Sequence, residues 1–118
     1  MMRRWFELGI DGFRMDVISL ISKDPTYPDA PKSLPYTKSY YVGASNGPRV
    51  HEFLQEMHQE VLKDFEVMTV GETPNTTSEQ AKLYTFPERS ELDMVFHFDH
   101  MHLDYGRYGE NFRISVLN

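Results

Sequence analysis

The sequence predicts an α/β fold of parallel β/α units, either an open doubly wound sheet or part of an eight-stranded barrel. Two observations lead there. Short apolar runs suited to strands alternate with segments of helical periodicity. The strand runs, residues 13–18, 66–72 and 92–98, are also largely apolar on both faces, as strands buried between layers are.

Residues 1–8 read as the end of a helix, with Gly9 as its C-cap and Asp11-Gly12 as the turn into the first strand. From residue 22 to 47 no periodicity is visible, and Pro25, Pro28, Pro31 and Pro35 keep the segment irregular. A loop of that length inside a compact domain is usually functional or disordered. Asn46-Gly47-Pro48 then starts a helix, Asn46 as N-cap and Pro48 in the first turn. Val50, Phe53, Leu54, Met57, Val61, Leu62 and Phe65 recur on its apolar face. "EVMTVGE", residues 66–72, reads as a second strand stopped by Pro74. "TTSE", residues 76–79, is a capping box opening a short helix through about Tyr84, and "LDMVFHF", residues 92–98, is a third strand.

Composition narrows the function. A chain of 118 residues holds one domain at most, 1–118, and its 40% hydrophobic content is ordinary for a globular protein. Net charge is −6 and the two signs are intermixed, so no basic patch tracks phosphates and nucleic acid is not expected as a partner. The absence of Cys removes disulfides and thiolate metal sites and fits a reducing compartment, hence the cytoplasm. No apolar run is long enough for a membrane span, and "MMRRWFELG" is not followed by the apolar stretch of a signal peptide. A soluble protein without a cofactor is expected.

In both candidate architectures the ligand site lies beyond the carboxyl ends of the strands. Asp16 and Glu72 stand near the ends of the first and second strands. On an extended strand Arg14 and Asp16 share one face, and Phe13, Met15 and Val17 the other. Two carboxylates at adjacent strand ends suit glycoside hydrolysis, which uses one ionised carboxylate and one protonated acid around the scissile bond. Arg14 favours the charged form of Asp16, as a nucleophile requires. Glu72 has no basic residue close in sequence, so burial is expected to raise its pKa, as a general acid requires. The same residues also read as a structural ion pair within a sheet, with Glu72 a rim carboxylate capping a helix.

Other signals are weaker. His97, Asp99, His100, His102 and Asp104 are dense in metal-ligand types, yet strand alternation splits them between two faces, and no metal is expected. "HEFLQ", residues 51–55, lacks the second His of a zincin motif, which leaves His51 and His58 at the flank of a helix. Asn75-Thr76-Thr77 matches a glycosylation acceptor, which matters only in a secreted protein. Tyr40 and Tyr41, off the regular elements, are the aromatic residues best suited to stack on a sugar ring.

"DGFRMDVISLISK", residues 11–23, resembles the region around the catalytic aspartate of glycoside hydrolase family 13, the α-amylase family, where Arg-X-Asp ends barrel strand four. "VGET", residues 70–73, resembles the end of strand five with the acid/base glutamate. "NGPRVHEFLQEMHQEV", residues 46–61, is similar to the fourth barrel helix in the oligo-1,6-glucosidase and α-glucosidase branch. The resemblance covers nearly the whole chain and implies a partial (β/α)8 TIM barrel, about three β/α units around strands 4 to 6. It implies retaining hydrolysis of α-glucosidic bonds in small oligosaccharides, with Asp16 as nucleophile, Glu72 as acid/base and Arg14 holding Asp16. Val17, after the nucleophile, goes in relatives with α-1,6 bonds, and a smaller or polar residue there with maltose. Sucrose isomerases and trehalose-6-phosphate hydrolases share these features.

The family's first motif should precede residue 1, and its His-Asp motif with the third carboxylate should follow residue 118. "NFRISVLN", residues 111–118, fits the family poorly. The expectation is therefore a fragment or truncated product, inactive alone. The competing class is a non-enzymatic relative that keeps the barrel core for binding.

Overall fold

The computed structural model describes residues 1–34, 39 and 41–98. Their elements run α1 (Met2–Glu7), β1 (Gly12–Met15), a 3-10 turn (Ile18–Leu20), α2 (Val50–Glu60), a 3-10 turn (Leu62–Asp64), β2 (Met68–Glu72), α3 (Ser78–Thr85), a 3-10 turn (Pro87–Arg89) and β3 (Met94–Phe96).

The strands form one parallel sheet in the order β1-β2-β3. Gly12 stands opposite Met68 and Met15 opposite Gly71, while Glu72 stands opposite Phe96. Parallel neighbours need a crossover, and α2 and α3 supply the two. Both crossovers pack on the same face. Val50 and Leu54 of α2, Tyr84 of α3 and Leu92 are buried together, with Met15, Ile18, Met57 and Val95 packed against them. Phe6 of α1 extends this layer by edge-on contact with Phe13 at 4.9 Å and a tilted contact with Phe65 at 5.0 Å. Sequential parallel strands with helices on one side are consistent with an arc of a barrel.

Several expectations change. The open face of the sheet carries Arg14, Met68, Val70, Glu72, Met94 and Phe96, and Met68, Met94 and Phe96 are about half exposed. Among the described residues the strands are thus covered on one face only, although their apolar content predicts two. The first strand stops at Met15, because Val17 adopts φ 38, ψ 44, a left-handed conformation that no extended strand can contain. Asp16 and Val17 accordingly leave the strand, and the alternation of faces expected for them ends with it. The third strand is three residues long.

Asn46 is not the cap of α2. That helix starts at Val50, with Arg49 before it, and Asn46 sits in left-handed backbone at φ 52. Leu62 and Phe65 fall in and just after the 3-10 turn that follows α2, although both continue its apolar side. The capping box is real but one residue later than the spacing predicts. Thr77 Oγ1 accepts from the Gln80 N–H, and the Gln80 side chain accepts from the Thr77 N–H. No helix among the described residues is long and apolar enough to cross a membrane.

Gly12 marks the tightest point of the sheet. A Cβ there would lie 2.0 Å from the Met68 carbonyl oxygen, beside the bond from the Met68 N–H to the Asp11 carbonyl. Gly12→Ala is expected to push β1 off β2 and lower the unfolding free energy by about 1–3 kcal/mol or more. Urea denaturation should show the lower midpoint with an unchanged slope.

Candidate functional site

Parallel pairing brings the carboxyl ends of β1 and β2 to one edge of the sheet. Glu72 is the last residue of β2, and Asp16 is the first residue beyond β1, whose Met15 stands opposite Gly71. Arg14 projects from the open face between them. Its Nη1 donates to Asp16 Oδ1 and its Nη2 to Glu72 Oε2, so one guanidinium fork joins both carboxylates. Charge-assisted bonds of this kind are the strongest class of side-chain hydrogen bond.

The two carboxylates sit in different surroundings. The Asp16 side chain is 73% exposed and that of Glu72 only 18%. The hydrogen bond from Arg14 holds the Asp16 carboxyl below the usual carboxylate range, helped by a hydrogen bond shared with Glu72 and by the Arg14 charge. From sequence, Arg14 belongs to Asp16 alone and Glu72 has no cation. The structure corrects this: Arg14 reaches Glu72 across 58 positions of sequence. The contrast between the two carboxylates therefore lies in exposure, not in the presence or absence of a cation.

Val17 follows Asp16 and is half-buried. Its left-handed backbone is costly for a β-branched residue, and it turns the chain at once into the 3-10 turn, where the Leu20 N–H donates to the Val17 carbonyl at 2.9 Å. Tyr41 is half-buried in the long loop, and Tyr40 lies outside the described residues. Of the His-rich run only His97 is described; Asp99, His100, His102 and Asp104, like residues 111–118, lie outside. Among the described residues no group of three His, Cys, Asp or Glu side chains could hold a metal ion. His51 instead bonds through Nδ1 to the buried Glu91 carboxylate at 2.7 Å. A cavity of about 450 Å³ lies near the starts of β2 and β3, lined by His58, Thr69, Phe86 and Asp93 among others. It is at the opposite end of the sheet from the carboxylates.

Sequence reasoning missed a set of polar residues behind the pair, the buried Ser19, Thr73 and Thr76 and the half-buried Asn46. Asn46 was the one with a signal, because Asn followed by Gly is a left-handed turn signature as much as a helix start.

The family description "Alpha amylase, catalytic domain" matches residues 1–118. The chain is 55% identical over 114 residues to an oligo-1,6-glucosidase of Parageobacillus thermoglucosidasius, covering 93% of this chain and 20% of that protein. It is 50% identical over 118 residues to a trehalose-6-phosphate hydrolase of Bacillus subtilis strain 168, covering all of this chain and 20% of the relative. A crystal structure of Bacillus licheniformis trehalose-6-phosphate hydrolase superimposes with a TM-score of 0.77 at 50% identity, covering 88% of this chain and 18% of that one. The chain thus spans about a fifth of the length of these relatives.

The Arg14 contact has a titration signature. Because the folded Asp16 carboxyl is depressed, its stabilising contribution is present above the ordinary carboxylate pKa and is lost as pH falls through the depressed value. Arg14→Gln is expected to return Asp16 upward toward about 3.9, followed by carboxyl ¹³C shifts against pH. A titration identical in both proteins would mean that Arg14 does not hold Asp16.

Proposed function

Because the chain belongs to the alpha-amylase catalytic-domain family, we propose that it supplies the nucleophile and the acid/base of a retaining α-glucosidase acting on small oligosaccharides. One observation carries this reading: two carboxylates of unequal exposure, at the carboxyl ends of adjacent parallel strands, lie within reach of a single arginine. Retaining glycosidases hold their carboxyl groups about 5–5.5 Å apart and inverting ones farther, and a shared guanidinium favours the short spacing.

The chemistry follows from the placement. Asp16, kept ionised by Arg14, attacks the anomeric carbon. Glu72 protonates the leaving glycosidic oxygen, and the glucosyl group passes to the Asp16 carboxylate. Glu72, now deprotonated, takes a proton from water, which attacks the same carbon and releases glucose with its configuration retained. Arg14 donates to one oxygen of each carboxylate and fixes where Asp16 points.

The three strands correspond on this reading to strands 4 to 6 of the family barrel. Val17 supports a preference for α-1,6 linkages, in keeping with the name of the oligo-1,6-glucosidase relative. The trehalose-6-phosphate hydrolase relative makes a phosphorylated disaccharide the competing substrate. The substrate is a small sugar, not a nucleic acid or a membrane component, and the Cys-free composition supports a cytoplasmic setting. A second reading, a catalytically incomplete piece, is favoured by the chain's one-fifth share of its relatives' length.

Hydrolysis of p-nitrophenyl α-glucoside, measured beside Asp16→Asn and Glu72→Gln, tests the assignment. Loss of about 10²–10⁴-fold for Glu72→Gln, and at least as much for Asp16→Asn, is expected of the acid and the nucleophile. Turnover that survives either substitution removes that residue from its role, and no turnover by the unsubstituted chain selects the second reading. In an active form, Val17→Thr should raise the ratio of maltose to isomaltose hydrolysis about tenfold or more. An unchanged ratio would take linkage choice away from Val17.

A further inference from the structure

The loops carrying Asp16 and Glu72 are tied together a few residues behind the carboxylates. Ser19, fully buried and three positions after Asp16, donates through Oγ to the Pro74 carbonyl at 3.3 Å, two positions after Glu72. Ser45 Oγ donates to the same carbonyl at 3.2 Å. Asn46 joins the three segments. Its backbone N–H donates to the Ser19 carbonyl at 2.9 Å, and its Nδ2 to the Asn75 carbonyl at 3.2 Å. Its Oδ1 accepts from the Tyr84 hydroxyl at 2.7 Å and from Thr76 Oγ1 at 3.2 Å. Tyr84 is fully buried in the core, so the knot is anchored to α3 rather than floating in the loops.

The backbone fits the role. Asn46 lies at φ 52, where Asn is among the few tolerated residues. Gly47 follows it with no room for a side chain, since a Cβ would lie 2.0 Å from the Ser22 carbonyl oxygen. The Arg49 N–H then donates to Ser22 Oγ at 3.0 Å. The segment 45–49 is thereby clasped to the loop after β1 through its backbone and to the loop after β2 through the Asn46 side chain.

We infer that Asn46 is a positioning residue that sets the spacing of Asp16 and Glu72 by locking their two loops together. The inference rests on the reading of these two as the reacting pair, but its geometry does not need turnover. The knot acts through the places where the two loops leave the sheet. A rigid support of this kind matters because displacement of a reacting group by about 1 Å can cost 10²-fold in rate.

The test uses the full 118-residue chain and the ¹³C carboxyl titration of Asp16. Asn46→Gly keeps the left-handed backbone and the N–H to Ser19 and removes only the amide. Parting of the loops should take Glu72 off the Arg14 fork, and with it the share of the Asp16 depression that comes from Glu72, so the Asp16 midpoint should rise toward the ordinary carboxylate range. Asn46→Asp keeps an acceptor for Tyr84 and loses the donor to Asn75, and should fall between the two. Gln55→Ala removes a bond to the buried Glu91 at 3.1 Å, away from both loops, and should lower stability without moving Asp16. Tyr84→Phe, which removes one donor to Asn46, should move Asp16 in the same direction by less, and it stands in if Asn46→Gly does not fold. An Asp16 midpoint unmoved in Asn46→Gly, or in Tyr84→Phe where that variant stands in, overturns the inference and leaves Asn46 a residue of stability alone. Since this readout needs no hydrolysis, a chain that turns over no glucoside defeats the functional reading and leaves the positioning test intact.

Discussion

Parallel pairing is the constraint from which the rest of this structure follows. Strands that run the same way, in sequential order, deliver their carboxyl ends to a single edge, and the crossovers must then lie on a face of the sheet. Here both crossover helices take the same face, burying Val50, Leu54, Tyr84 and Leu92 against it. The opposite face is left to Arg14, Val70 and Glu72, flanked by half-exposed Met68, Met94 and Phe96. A polar cluster can survive on that face because it lies at the edge where the strands end and water reaches it.

Electrostatics on that edge are decided by one side chain. Arg14 has five donors in a fixed fork, and the register of β1 on β2 sets Asp16 and Glu72 on its two sides. Two carboxylates this close repel, and a bridging cation lowers that cost. The bond to Arg14 holds the more exposed Asp16 below the usual carboxylate range, and Glu72 is the more buried of the two. The two carboxylates thus differ in exposure, with Arg14 common to both.

Behind the edge, stability and site geometry share residues. The carbonyl of Pro74, two residues beyond the end of β2, accepts from Ser19 and Ser45, and Asn46 gathers Asn75, Thr76 and Tyr84. Burial of Ser19, Thr76 and Tyr84 is tolerable because each of their hydroxyls has a partner, and a satisfied network specifies a single arrangement of the loops. Val17 adds a strained turn at the point where the chain must leave the strand and keep Asp16 at the edge.

The order of helices and strands, the parallel arrangement and the position of Asp16 and Glu72 at strand ends were all readable from residues 1–98, because period, turn chemistry and apolar runs are local properties. The motif "DGFRMD" announced its own ion pair, since Arg14 and Asp16 are two positions apart. Tertiary structure decided what locality cannot reach. That Arg14 also serves Glu72 depends on strand register across 58 positions, and that Asn46 ties loops instead of capping α2 depends on what Asn75 and Tyr84 bring to it. Val17 reads as a strand residue by propensity, yet the packing of Ile18 and the bonds of Ser19 hold it in a left-handed turn. Local sequence favours conformations by about a kilocalorie per mole or less per residue, and the contacts made once distant segments meet are large enough to overrule it.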